Sequence, residues 1–180
     1  MSKDNDIKDA IKLYKEQVIW KNKSDKDLAM YIIPSVALNQ YHIFRYENTG
    51  VAYAFTNWAF LNDDVEKRFK QTGILEKFDW QSGNNLWHID TVNNHLGKIK
   101  DIYKWTAYNF LKILPEDTIV NWIRLTKSGD SIKRINKMTI KTGVKKYKKT
   151  HTKNIGDYRA SKCVVLPLKL LFTEDCIGIK

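Results

Sequence analysis

Ile7, Ile11, Tyr14 and Val18 fall at spacings of four, three and four. Apolar residues so spaced share one face of an α-helix, which predicts an amphipathic helix over about residues 5–20. The polar stretch Lys21 to Asp27 ends the pattern, and Ser24 or Asp25 is placed to cap a second helix. That helix passes through Leu28 to Ile33 and is expected to end near Pro34. Tyr41 to Tyr46 and Val51 to Trp58 read as strands, with a hairpin turn at Glu47-Asn-Thr-Gly50 where Asn or Gly supplies positive φ. Leu61, Val65 and Phe69 mark a short helix whose first turn carries Asp63, Asp64 and Glu66, the end at which the helix dipole favours acids.

A loop with Gly73 and Ser82-Gly83 leads to a predicted central strand, Leu86 to Val92. Asn93 to Gly97 breaks the chain. Ile99, Ile102, Tyr103, Thr106, Phe110 and Ile113 give the longest helical stripe, stopped before Pro115. Thr118 to Leu125 and Ser131 to Ile140 read as a strand pair turned at Lys127-Ser-Gly-Asp130. Lys141 to Asp157 is basic and polar and reads as a mobile segment. Val164 to Phe172 is apolar enough for a last strand, and Pro167 within it suits an edge. Helices, a hairpin, a strand, a long helix and a strand pair, in that order, predict an α/β sandwich. Its central sheet is mixed, mostly antiparallel and flanked by helices. This order matches the N-acetyltransferase-like architecture, in which a central strand splays from its neighbour and acyl donor and acceptor meet in the gap.

At 180 residues, without repeats or a linker, the chain is expected to form one domain. Composition changes this picture in one respect. Between Lys127 and Lys169 there are thirteen Lys/Arg against two acids, Asp130 and Asp157. That span carries the whole net charge of +11. The basic C-terminal module at about 127–169 therefore attracts an acidic partner: nucleic acid, anionic lipid or an acidic protein. No apolar run approaches the roughly 20 residues that cross a bilayer. The charged N-terminus lacks the apolar core of a signal peptide, so a cytoplasmic location is expected. Cys163 and Cys176 do not have a zinc spacing and read as reduced thiols, so neither a metal nor a bound cofactor is expected.

The densest candidate chemistry lies in Asp79-Trp-Gln-Ser-Gly-Asn-Asn-Leu-Trp-His-Ile-Asp90. A regular strand sends residues i and i+2 to one face, so His88 and Asp90 are expected to project side by side. An imidazole beside a carboxylate suffices for proton transfer near neutral pH.

Three blocks together carry a family resemblance. They are Ile33-Pro-Ser-Val-Ala-Leu-Asn-Gln-Tyr41, Gly50-Val-Ala-Tyr-Ala-Phe-Thr-Asn-Trp-Ala-Phe-Leu61, and Asp79-Trp-Gln-Ser-Gly83 running into Leu86-Trp-His-Ile-Asp90. Their order and spacing resemble the RTX toxin-activating lysine acyltransferases over roughly residues 28–141. The resemblance implies transfer of a fatty acyl group from acyl carrier protein, the donor substrate, to lysine side chains of a protoxin. It implies that Asp90 stands for the family's essential aspartate and that Ser82 and Gly83 match its donor-site turn. Tyr53, Phe55 and Trp58 are candidates to line an acyl groove.

One departure matters. The family places a catalytic histidine upstream, in a Ser-Pro-x-His-Arg-like stretch, whereas Trp20 to Asp27 holds none. His88 is therefore the candidate base, with His42 and His95 in reserve and His151 read as solvated. Two other readings remain at this point. One is a bacteriocin-maturation subunit that modifies a peptide terminus with a non-fatty-acyl donor, completed by a partner subunit. The other is a non-enzymatic nucleic-acid binder using Lys141 to Lys162, with Tyr147 and Tyr158 stacking on bases.

Overall fold

The computed structural model describes residues 2–95, 98–129 and 131–148. Helices α1 (Lys3–Lys15) and α2 (Asp25–Ala37) precede the hairpin β1 (Tyr41–Arg45) and β2 (Ala52–Leu61). Then come α3 (Asp63–Thr72), β3 (Asn85–Asn93), α4 (Ile99–Ile113), β4 (Ile119–Leu125), β5 (Ile132–Thr139) and α5 (Ile140–Lys148). The five strands form one sheet in the order β1-β2-β3-β4-β5, antiparallel except between β3 and β4. This is the α/β sandwich with a mixed sheet that the element order predicts.

Side oxygens start the first three helices. Ser2, Ser24 and Asn62 accept from the backbone N–H groups of Asn5, Asp27 and Val65, satisfying donors that a helix start leaves free. Alternation along β2 then divides the core between the two faces of the sheet. Phe55, Ala59 and Leu61 pack towards α1, α2 and α3, with Leu13, Tyr14, Ile32 and Phe69 among their neighbours. Ala54, Trp58 and Phe60 pack towards α4 and α5, with Ile102, Phe110, Ile140 and Val144.

Three expectations are corrected. The α1 stripe stops at Tyr14: Val18 lies beyond the helix and is 82% exposed. Pro34 does not end α2, which runs on to Ala37. The proline forfeits one helix bond, but Ile32, Pro34, Ser35 and Val36 are all buried there, and the Ser35 hydroxyl donates to the Ile32 carbonyl at 2.8 Å. Asn39, at φ 56°, turns the chain out of the helix instead. Finally, residues 141–148 are helical. The Thr142 N–H bonds the Thr139 hydroxyl oxygen at 3.3 Å, and Ile140 and Val144, one turn apart, are buried beside Phe110. The predicted strand Val164 to Phe172 lies outside the described residues, as do Cys163, Cys176, His151 and Tyr158.

Three bulges interrupt the sheet. Phe44 pairs with Ala54 and Arg45 with Ala52, so Tyr53 is an extra residue in β2. Asn57 pairs with Asp90 and Trp58 with His88, so Ile89 is an extra residue in β3. A bulge resets which face the following side chains occupy. Arg124 pairs with Arg134 and Leu125 with Ile132, so Lys133 is an extra residue in β5. A further departure from regularity is larger. Strands β3 and β4 pair only at Leu86↔Val120 and Trp87↔Asn121, and beyond those residues no pairing joins them. Near the C-terminal end of β3, Asn94 Nδ2 donates to the Leu13 carbonyl at 3.4 Å. From the same region Ile19, just past α1, reaches across to the β4–β5 turn. A Cβ added to Gly129 would stand 2.5 Å from Ile19 Cγ2, and Gly129 has φ +77°.

The Ser82-Gly83 turn is held against the start of α3. The Asn62 N–H donates to Ser82 Oγ at 3.0 Å. A Cβ on Gly83 would lie 2.5 Å from the Asn62 backbone nitrogen and Cα. Backbone cannot yield as a flexible side chain can. Gly83→Ala is therefore expected to cost about 1–3 kcal/mol, the range for overpacking a close contact. Ser82→Ala should cost about 1 kcal/mol for one lost hydrogen bond. Urea unfolding of both variants measures this, and an unchanged midpoint for Gly83→Ala would show that the turn relaxes freely.

Candidate active site

Where β3 and β4 part, a cavity of about 500 Å³ opens between the sheet and the helices α4 and α5. Its apolar part is walled by Ala107, Phe110, Val120, Met138 and Ile140. His88, Asp90 and Thr91 line it from β3, and Tyr103 lines it from α4. Arg124 of β4 and Arg134 of β5 complete the lining on the far side.

The bulge at Ile89 decides what the two candidate residues do. Leu86 packs towards α4, Trp87 towards α3, and His88 again towards α4, its ring edge-on to Tyr103 at 6.2 Å. Ile89 and Asp90 then both turn to the other face, Ile89 beside the Trp87 cluster and Asp90 against Tyr14 of α1. The expected side-by-side projection of His88 and Asp90 therefore does not occur, and the carboxylate does not fix the imidazole. An i, i+2 argument fails wherever an extra residue lies between the two positions.

Each group has its own support. Asp90 Oδ2 accepts from the Tyr14 hydroxyl at 2.9 Å, and Oδ1 accepts from the Thr91 N–H at 2.7 Å. The Asp90 N–H donates to Asn57 Oδ1 at 3.0 Å. Burial pushes the Asp90 carboxyl above the usual carboxylate range, against the opposing pull of Tyr14 and Thr91. The same burial, followed by the charge of Asp90, raises the Tyr14 phenol well above its ordinary value, so it stays a donor. His88 Nε2 lies 2.7 Å from the Thr56 hydroxyl and 3.0 Å from the Thr91 hydroxyl. Thr56 also donates to the Asp90 carbonyl at 3.1 Å. With its one proton spent there, the Thr56 oxygen accepts from Nε2–H, and Nδ1 keeps the lone pair. Burial lowers the His88 pKa to about 4, so the ring is neutral at pH 7.

The remaining candidates lie elsewhere. Phe55 is in the α1–α2 core, Trp58 stands edge-on to Phe110 at 5.4 Å, and Tyr53 sits with Phe44 and Tyr46. They belong to separate clusters, and none lines the cavity. Ser82 and Gly83 do not line it either, and their observed contacts hold the backbone of the turn. Asp79 is nearly buried, pairs with Arg68 and accepts from the Glu76 N–H at 2.6 Å, which makes it a turn former. His42 stacks on Trp105 with centroids 3.8 Å apart, and His95 bonds Tyr46. Among the described residues no cluster of three His, Cys, Asp or Glu could hold a metal ion. No helix there is long and apolar enough to cross a membrane.

The model of the RTX toxin acyltransferase family matches residues 9–139, which include every element that builds the cavity except α5. The chain belongs to the RTX toxin acyltransferase family. It is accordingly an acyltransferase. A leukotoxin-activating lysine-acyltransferase of Mannheimia haemolytica is 29% identical over 163 residues, 90% of this chain and 91% of that protein. An RTX-II toxin-activating lysine-acyltransferase of Actinobacillus pleuropneumoniae is 26% identical over 135 residues, 71% of this chain and 82% of that one. An uncharacterised protein of Synechocystis is 34% identical over 106 residues, 58% of this chain and 69% of its own length.

Within this family frame, Tyr14 is the residue that sequence reasoning missed. It reads only as part of a helical stripe, and it lies 76 positions from Asp90. The N-terminal region brings no imidazole to the carboxylate. Trp20 instead packs edge-on to Tyr14 at 5.7 Å, and the Tyr14 phenol makes the contact.

Two outcomes follow from this geometry. Tyr14→Phe leaves a buried carboxylate short of one donor, which should cost about 1–3 kcal/mol in urea unfolding and raise the Asp90 pKa further. Carboxyl titration by NMR checks the second effect. The other concerns acid stability. His42, also lowered to about 4 by burial, and His88 both favour the neutral form in the folded chain. The unfolded chain binds these protons near pH 6.5. Their contribution is thus complete above about pH 6.5 and is lost as pH falls towards 4. Asp90, whose carboxyl is raised, works with the opposite sign from its ordinary range upward. Thermal midpoints between pH 7 and 4.5 should fall, with a shallower slope in His42→Phe. An identical slope in that variant would rule out a neutral buried His42.

Proposed function

We propose that this acyltransferase moves a fatty acyl group from the thioester of an acyl carrier protein to a lysine side chain of a protein toxin precursor. The observation that carries this reading is the cavity itself: a chamber with an apolar end, whose β3 wall presents a neutral imidazole and a buried carboxylate. The relatives named as leukotoxin- and RTX-II toxin-activating lysine-acyltransferases support the class of acceptor. An acidic carrier protein suits the basic C-terminal part of the chain.

In this reading the acyl chain occupies the apolar end, beside Phe110, Val120 and Met138. The acceptor ammonium, with an ordinary pKa near 10.4, must first lose a proton. Asp90 attracts the ammonium into the gap, and its carboxylate takes this first proton and releases it to solvent at the open end. The neutral amine attacks the thioester carbonyl, a C–N bond forms, and the C–S bond breaks. His88 Nδ1 takes the proton that the nitrogen sheds and returns it to the departing thiolate. Thr56 and Thr91 hold the ring in the tautomer this needs. The two groups act in sequence from opposite faces of β3, not as a hydrogen-bonded pair.

The test is single-turnover discharge of a long-chain acyl-carrier protein, followed by intact mass spectrometry, with a lysine-rich peptide as acceptor. Loss of acyl from the carrier and its mass gain on the peptide are expected. Asp90→Asn and His88→Ala should each slow transfer by about 10²-fold or more, the usual weight of a positioned acid or base. Full transfer by His88→Ala would remove the imidazole from the mechanism. Absence of carrier binding at moderate salt would overturn the fatty-acyl reading.

A further inference from the structure

Val120, Trp122 and Arg124 of β4, with Arg134, Asn136 and Met138 of β5, form one wall of the cavity. Along this wall the chemistry changes from apolar to basic. Val120 and Met138, paired across the strands, lie at the apolar end. Trp122 and Asn136 form the next pair, and Arg124 and Arg134 the one beyond, towards the open end where β3 and β4 have separated. The two arginines are direct cross-strand partners, and both are exposed. Like charges placed opposite one another on a sheet destabilise it. Among the described residues no carboxylate bridges this pair. The ion pairs between described residues join Arg45 to Asp6 and Asp9, Arg68 to Asp79, and four lysines to other acids. Lys146 of α5 adds a third cation to the lining. Burial, followed by the charge of Asp90, raises the Tyr103 phenol, and the nearby charge of Arg124 opposes that rise.

Two arginines paired across the strands, with no bridging carboxylate among the described residues, supply the donors that a phosphate site needs. Each presents a planar fork that matches phosphate oxygens, and an anion between them removes the repulsion. We propose that Arg124 and Arg134 form an anion site at the mouth of the cavity that holds the phosphodiester carried by the acyl donor. This inference rests on the donor reading given above. It adds a direction to that reading: acyl chain inward past Trp122, thioester near His88, and phosphodiester outward at the arginine pair.

The test compares binding of two probes to the full chain, a long-chain acyl-phosphopantetheine and the same acyl-pantetheine without its phosphate. The wild type should bind the phosphorylated probe at least about tenfold more tightly, as expected for a charge-assisted contact of about 1.5 kcal/mol or more. Arg124→Gln and Arg134→Gln should abolish that preference while leaving binding of the unphosphorylated probe unchanged. Lys133→Gln, at the β5 bulge and outside the cavity lining, controls for overall charge and should keep it. In turnover, the arginine variants should raise KM for acyl-carrier protein with little change in kcat. Equal binding of the two probes by the wild type would overturn the anion site and leave the acyl reading intact. A phosphate preference without acyl transfer would do the reverse. Binding of neither probe would overturn both.

Discussion

The incomplete pairing of β3 with β4 is the constraint on which the rest of the molecule turns. Two register pairs, Leu86↔Val120 and Trp87↔Asn121, join the halves of the sheet. At that end Trp87 is fully buried beside Phe69 and Leu61, and Leu86 is buried beside Phe110. The large apolar side chains thus anchor the closed end of a wedge. Further along, the residues are His88, Asp90 and Thr91, which answer to hydroxyls, a phenol and backbone amides. Continuing the parallel ladder would gain backbone bonds and eliminate the chamber. The polar groups are instead satisfied locally, so the open end need not close to satisfy them.

The bulge at Ile89 reconciles two demands within one strand. The α3 side needs Trp87 and Ile89 for its core, while the α1 side needs Val92 and the Asp90–Tyr14 contact. Strict alternation would put Asp90 with His88 and Val92 with both of them on the α4 side. One extra residue restores the fit, and the same step separates the imidazole from the carboxylate. The placement of both candidate groups and the packing of the core are therefore set by a single backbone irregularity.

Much of the architecture was legible because it follows from periodicity. The stripe Ile99 to Ile113, the alternation through β2 and the turn at Glu47 to Gly50 each state their own structure. Asp90 and His88 were legible as residues of one motif. Their relation was not, since a bulge leaves no mark in composition or spacing. Tyr14 was hidden for a different reason: its partner is distant in sequence, and a phenol inside an amphipathic stripe looks like any other core aromatic. The helical nature of residues 141–148 was obscured by lysines, with only Ile140 and Val144 to anchor the turn. Pro34 misled because local propensity was outweighed by the burial of its neighbours. The aromatics proposed for an acyl groove were correctly read as apolar, but sequence does not say which of several clusters each one joins.

The contact between Ile19 and Gly129 bears on how the wedge keeps its angle. No backbone ladder sets the separation of the two half-sheets at their open end, yet a side chain from the α1–α2 connection rests on the β4–β5 turn. It acts as a spacer between two arms hinged at Trp87. A glycine at the far arm lets the spacer seat directly on backbone, so its length is that of one isoleucine side chain. The aperture is then a heritable dimension: enlarging or trimming a residue remote from the chemistry would widen or narrow the entrance without touching any group inside.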